Sequence, residues 1–148
     1  MGRKANRSAS AVWQGNLLEG SGTFEVGSKA LPRLPVTWKA RTSSDDPMTT
    51  PEELIAAAHS SCFSMALSAG LAGEGYTAER LATDATVTFA EQDAGGWKIT
   101  ESHIKVRGKV PGITRDAFIK AAEGASQGCP VSGALKGNLA ITLDADLE

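Results

Sequence analysis

The sequence predicts an α+β fold, and three observations predict it. One long apolar segment starts abruptly at Thr50-Pro51 and has helical character. Runs that alternate with period two stand on both sides of it. The last third mixes two capped helices with a final alternating run, so strands and helices are segregated rather than regularly interleaved. The chain has 148 residues, enough to bury a substantial core within one domain, and no internal repeat divides it. The expected organisation is a single domain over 1–148, with residues 1–9 as a solvated tail.

The elements follow in order. Ala11-Val12-Trp13 is a short β-type run, and Gly15-Asn16 suggests a turn after it. Thr23-Phe24-Glu25-Val26 alternates as a strand does. Leu34 to Trp38 is a third extended candidate, and Pro35 favours an edge position because it has no N–H to give a neighbour. Arg41 to Pro51 is rich in Ser, Thr, Asp and Pro and is expected to be a loop. Thr50 then supplies an N-cap, Pro51 the first helical position and Glu53 the reciprocal capping residue. The helix should run to about Leu71 and stop between Gly70 and Gly75. It has no wide polar face, so it is expected to be enclosed by sheet on most sides.

Leu81 to Glu91 is the next strand, with Val87 and Phe89 on one face. Asp93-Ala94-Gly95-Gly96 is a hairpin signal, and Trp97 to Val110 continues as strand. Pro111-Gly112 breaks it. Thr114 caps a helix from Arg115 to about Ser126, and Gly128 ends it. Pro130 opens a short helix through Leu135, and Leu139 to Asp146 is the last strand.

Composition removes several function classes. A net charge of −2 gives no basic surface for nucleic acid. No secretory leader follows the basic start, because Ala5 to Ser10 is polar. The most apolar stretch, Leu54 to Leu71, is broken by His59, Ser60, Ser61 and Ser64 and is not expected to span a membrane. A cytoplasmic location is the expectation.

Two cysteines remain as the chemistry-bearing residues, and taken alone they leave three readings open. They could be inert core thiols, metal ligands or a redox pair. Cys62 sits inside the apolar helix. Cys129 sits in Gly128-Cys129-Pro130, just before a helix start, where a thiolate is favoured. The metal reading would draw on His59, which shares a helix face with Cys62, and on His103. The spacing fits no zinc pattern. His59 is expected to be a hydrogen-bonded helix residue, and His103 receives no role. Lys39 and Arg41 lie ahead of the helix as candidate cations for a thiolate. Glu52 and Glu53 open the helix and complement its dipole.

Four segments carry a family resemblance. Pro51-Glu52-Glu53-Leu54-Ile55-Ala56-Ala57-Ala58-His59-Ser60-Ser61-Cys62-Phe63-Ser64-Met65-Ala66-Leu67 resembles the signature helix of the OsmC family. Gly128-Cys129-Pro130-Val131-Ser132 resembles its second cysteine motif, and Val110-Pro111-Gly112-Ile113 its strand-to-helix turn. Ala11-Val12-Trp13 with Gly15 fits its opening. The likeness is closer to the osmotically inducible OsmC branch than to the organic-hydroperoxide-resistance branch.

The resemblance implies a cysteine-based peroxidase that reduces organic hydroperoxides and, less well, hydrogen peroxide, with no cofactor and no metal. It implies Cys62 as the peroxidatic cysteine, Cys129 as the resolving cysteine, Arg41 as the thiolate-activating arginine and Glu52 as its partner. It also implies antiparallel sheets wrapped around a long buried helix, in an intertwined homodimer with active sites at the subunit interface. The reductant implied is a thiol, a lipoyl-bearing protein in one branch. Glu52 and Cys62 lie ten residues apart on one helix, about 15 Å of rise. One arginine hardly bridges both within one chain, so Glu52 would serve a partner's thiolate. The other class of reading is a non-catalytic dimer that binds a small molecule or lipid, with Phe63, Met65 and Trp38 lining its pocket.

Overall fold

In the computed structural model, residues 2–148 are described; Met1, the first residue of the expected tail, lies outside them. The chain groups into two compact units, the first ending at Pro51 and the second running from Glu52 to Glu148.

The N-terminal unit is a three-stranded antiparallel sheet followed by a short helix. Strands β1 (Ala9–Gln14), β2 (Ser21–Val26) and β3 (Leu34–Val36) lie in the order β1-β2-β3. Pro35 pairs opposite Thr23 on an edge strand, as its missing N–H requires. The strand starts earlier than the tail expectation allowed: Ala9 pairs with Val26, and the Gly27 amide donates to the Ser8 carbonyl at 2.7 Å.

Trp38 to Thr42 corrects two expectations, since Trp38 was assigned to strand and Arg41 to loop. They form helix α1 (Trp38–Thr42), with the Thr37 hydroxyl accepting from the Ala40 amide at 3.2 Å. Five residues hold too little periodicity for a helix to be read from sequence. The threonine cap and the last-turn cations Lys39 and Arg41 stabilise it locally.

The C-terminal unit is built on α2 (Pro51–Gly73) and a second three-stranded sheet. The helix begins at the predicted proline, and Glu52 and Glu53 occupy its first turn. Beyond it come β4 (Arg80–Glu91), β5 (Trp97–Lys109), α3 (Arg115–Gly128), α4 (Pro130–Leu135) and β6 (Ala140–Leu147). The β4–β5 hairpin turns through Gly95 and Gly96, whose φ values of +89° and +86° suit glycine. The Thr114 hydroxyl accepts from the Ala117 amide at 3.2 Å and caps α3 as expected.

The sheet order is β4-β5-β6, and here the all-antiparallel expectation fails. β4 pairs antiparallel with β5, but β6 runs parallel to β5, with Ile104 opposite Leu143. The chain leaves β5 at one end, crosses through α3 and α4, and re-enters at the other. A helical crossover of that length is what a parallel pair needs.

The core of this unit is a layer between sheet and helices. Phe63, Leu67 and Leu71 of α2 join Ile104, Val106 and Val110 of β5 and Phe118 and Ala122 of α3. Phe118 is fully buried, and its ring lies against Gly108, where a Cβ would collide with it. The strand therefore needs glycine at that point.

α2 corrects a further expectation, because one chain does not enclose it. It buries a single stripe of Glu52, His59, Phe63, Leu67 and Leu71, while Met65 remains 67 % exposed. The opposite side carries Ala57, Ala58, Ser61, Ser68 and Ala69. Small residues of intermediate polarity leave no visible boundary between faces, so the helix seemed apolar all round. At 23 residues α2 is also long and apolar enough to meet the length and composition of a membrane span. Its stripe is nonetheless packed into this unit's core, around a buried histidine.

Candidate active site

The site grows from two helix positions. Cys62 lies on the fourth turn of α2, adjacent to the buried stripe, and is partly exposed. Cys129 is the junction residue between α3 and α4. It has extended backbone angles and 1 % exposure, with Pro130 immediately after it as the first residue of α4. The proline ends α3 and starts α4 at one place, which fixes the sulfur against the core. Both cysteines are free thiols, and each lies near enough to act on the other's ionisation.

The environment treats the two sulfurs differently. Burial pushes the Cys62 thiol above its ordinary value, the Val131 amide works the other way, and the neighbouring Cys129 adds to the rise. Burial also works against a thiolate at Cys129. Yet the Ser132 amide, the Cys62 thiol, the Ser132 hydroxyl and the Val131 amide outweigh it and bring Cys129 below its ordinary value. Cys129 makes no side-chain cap hydrogen bond on α4, and these groups act on its ionisation from the first turn of that helix. Within this unit the surroundings therefore favour ionisation at Cys129 over ionisation at Cys62. A peroxidatic role for Cys62 therefore needs a cation from outside this set of groups.

Behind the pair stands His59, fully buried and one helical turn before Cys62. Its Nδ1 lies 2.6 Å from the Ser102 Oγ of β5 and its Nε2 lies 2.8 Å from the Ser132 Oγ of α4. Ser102 and Ser132 are buried as well. Both ring nitrogens are thus occupied by hydroxyls, which matches the hydrogen-bonded role read for His59 and leaves no nitrogen for a metal. Among the described residues no three His, Cys, Asp or Glu side chains converge as a metal site. No local pattern marks Ser102 or Ser132 as partners of His59. They come from elements 43 and 73 residues away.

Burial holds the His59 pKa below its ordinary 6.5. Above pH 6.5 the ring is neutral both folded and unfolded, and the interaction is intact. Below 6.5 the unfolded ring takes a proton that the buried ring resists, so stability falls with pH until the folded-state value is passed. Urea midpoints should therefore drop between pH 7.5 and 5.5, and His59→Gln should show a shallower drop. Equal slopes would contradict the burial argument.

The remaining candidates belong to other elements or other turns. Glu52 is buried in the first turn of α2, about 15 Å along the helix from Cys62. Arg41 belongs to α1 in the N-terminal unit, where its guanidinium stands 5.7 Å from the centroid of the Trp38 ring, a cation–π geometry. Lys39 is on the same short helix. His103 pairs with Asp144 at 3.2 Å on the β5–β6 surface, away from the cysteines in sequence and role.

Comparison with known proteins agrees with this layout. Residues 43–144 match the OsmC-like protein family. The chain is 39 % identical over 143 residues to peroxiredoxin OsmC of Escherichia coli and to that of Shigella flexneri, covering 97 % of both sequences in each case. Among solved structures, the organic hydroperoxide resistance protein of Elizabethkingia anophelis is similar with a TM-score of 0.73 at 24 % identity, over 99 % of this chain and all of that one. OhrB of Bacillus subtilis is similar with a TM-score of 0.70 at 19 % identity, over 93 % of this chain and 97 % of its own. These structural likenesses carry the fold, and the whole-length identity to the two OsmC proteins carries the branch. The chain belongs to the OsmC-like family, on its OsmC branch.

Proposed function

We propose that this protein is a thiol peroxidase that reduces organic hydroperoxides and, more slowly, hydrogen peroxide, as an antioxidant in the cytoplasm. The observation that carries the reading is the proximity of two free thiols, one partly exposed and one buried. The two E. coli and Shigella relatives named peroxiredoxin support it.

In the proposed cycle the Cys62 thiolate attacks the terminal peroxide oxygen and the O–O bond breaks. The alkoxide leaves with a proton as alcohol, and Cys62 becomes a sulfenic acid. The Cys129 sulfur then attacks the Cys62 sulfur. A disulfide forms, and the hydroxyl leaves with the Cys129 proton as water. Two electrons have passed from the two thiols to the peroxide. An external thiol or dithiol, of the lipoyl type in the resemblance, returns them.

Arg41 is the proposed cation for Cys62 and Glu52 the carboxylate that orients it through a bidentate pair. The groups acting on Cys62 inside its own unit raise its thiol above the ordinary value, which favours activation from outside. The rise along α2 separates Glu52 from Cys62, which favours a homodimer in which Glu52 serves the opposite chain. Two surfaces support such a dimer: β1 is exposed along all six residues, and Met65 stands out from α2.

The deciding experiment is mass spectrometry of protein treated with stoichiometric cumene hydroperoxide. A Cys62–Cys129 disulfide within one chain is expected, and a Cys62 that stays reduced would defeat the reading. Arg41→Met should slow Cys62 oxidation about tenfold to a hundredfold, the worth of one or two pKa units at the thiol. A rate unchanged in Arg41→Met would remove the arginine from the site.

A further inference from the structure

One buried polar network has no part in the peroxidatic step. Ser102, His59 and Ser132 join β5, α2 and α4 through two short contacts, 2.6 and 2.8 Å. None of the three is more than 2 % exposed. Buried polar side chains in an otherwise apolar core carry a desolvation cost, which these two hydrogen bonds offset. A neutral imidazole donates from one nitrogen and accepts at the other, and a serine hydroxyl can do either. Both contacts are therefore satisfied in either tautomer.

The place of the His59–Ser132 contact gives it a use. Cys62 follows His59 by three residues on α2, and Ser132 follows Cys129 by three residues at the start of α4. The hydrogen-bonded pair thus stands about one helical turn from each cysteine, with equal spacing on both elements. The stretch from Cys129 to Ser132 is held by its own backbone. The Cys129 amide donates to the Ala125 carbonyl at 2.9 Å, and the Cys129 carbonyl accepts from the Gly133 amide at 3.0 Å. The Ser132 carbonyl accepts from the Lys136 amide at 2.8 Å. Fixing Ser132 against α2 therefore fixes Cys129. A helix of six residues has too few internal bonds to hold its own place, so tertiary contacts such as this one carry its alignment. Cys62 packs against the core cluster that contains Cys129, in keeping with the matched spacing.

We propose that His59 and Ser132 are positioning residues whose hydrogen bond sets the start of α4 in register with α2, so that Cys129 already faces Cys62 when the disulfide closes. The inference rests on the disulfide cycle proposed above. In its resolving step the Cys129 sulfur attacks the sulfur of the Cys62 sulfenic acid. The S–S bond forms, the S–O bond breaks, and the hydroxyl leaves with the Cys129 proton as water. The His59–Ser132 pair needs no part in these bond changes. Its contribution is alignment, which holds one thiol at the other before the reaction and so spares the ordering cost. Ser102 holds the other ring nitrogen on β5, and that contact does not join the two elements that carry the cysteines.

The test uses the full-length protein equilibrated with glutathione, so that it does not depend on peroxide. Oxidised glutathione takes two electrons and two protons from the cysteine pair and becomes two thiols, and the equilibrium constant gives the effective concentration of one cysteine at the other. Ser132→Ala should lower that concentration about tenfold, the scale of removing one buried hydrogen bond. His59→Leu should lower it by a similar factor. The double variant should fall no further than either, because all three lack the same bond. Ser102→Ala also takes a partner from His59 and should lower the urea midpoint about as much as Ser132→Ala does. It should nonetheless keep the effective concentration within about threefold of the unsubstituted protein, since the α2–α4 link remains. An unchanged effective concentration in Ser132→Ala would overturn the proposal. So would an equal loss in Ser102→Ala, which would mark a general loosening of the core. Should His59→Leu fail to fold, the two serine variants decide between these outcomes alone. A disulfide that glutathione closes but peroxide does not would defeat the peroxidase reading while leaving this comparison intact.

Discussion

Cys62→Ser is expected to abolish hydroperoxide turnover, lowering it by at least about a thousandfold, the scale of losing a nucleophile that no other group replaces. The reason lies in the atom. A serine oxygen is not ionised near neutral pH and cannot be raised to a sulfenic acid, so no electrons can enter the cycle there. Cys129 cannot take over, since its sulfur is 1 % exposed and a peroxide cannot reach it. The fold should survive, because Cys62 lies beside the core and not within its fully buried set. Consumption of cumene hydroperoxide with dithiothreitol as reductant measures the effect. Residual turnover above a tenth of the unsubstituted rate would place the chemistry at another group.

Cys129→Ser is expected to split the cycle after its first step. Without reductant the variant should consume about one equivalent of peroxide and stop at a Cys62 sulfenic acid, which excess peroxide then drives to the sulfinic acid. The unsubstituted protein should go to the disulfide and resist that overoxidation. The first oxidation should not slow in the variant. Cys129 is one of the groups that keep the proton on Cys62, so its removal favours the Cys62 thiolate. Rapid-quench mass spectrometry follows both species. A disulfide-free unsubstituted protein, or a variant that resists overoxidation equally well, would remove Cys129 from the resolving role.

These two expectations depend on an asymmetry that neither cysteine shows alone. In its own unit the Cys129 thiol is held below its ordinary value, through the Ser132 and Val131 groups at the start of α4, while the Cys62 thiol is raised. The proposed peroxidatic step needs the thiolate at Cys62 instead. A cation such as Arg41, brought to Cys62 from outside the unit, would reverse the preference for oxidation. Once Cys62 is oxidised, the groups around Cys129 would favour its attack and its later departure. One site would then serve both halves of the cycle with different groups.

The sequence by itself determined whatever depends on near neighbours. Thr50-Pro51 marked the start of α2, Thr114 the start of α3 and Pro130 the start of α4, because caps and proline act within one turn. Gly95 and Gly96 marked the hairpin, because only their φ values close it. Pro35 marked an edge strand, because it lacks a donor. The two cysteine motifs identified the family, which the whole-length identity bears out.

The tertiary structure decided what depends on distant partners. Alternation along 140–147 reports a strand but not its direction, and only the crossover through α3 and α4 made β6 parallel to β5. Helix α1 was too short for its period to be visible. The small residues of α2 hid which face is buried, and packing against β5 and α3 chose one stripe. Sequence offered Cys62 and Cys129 as separate residues with an inert reading open for each. The fold brought their thiols together and set a buried histidine and two serines behind them. Neighbours 67 residues apart, and partners 43 and 73 apart, meet only after the chain has paid its loop-closure entropy, and no local signal in the sequence records that meeting.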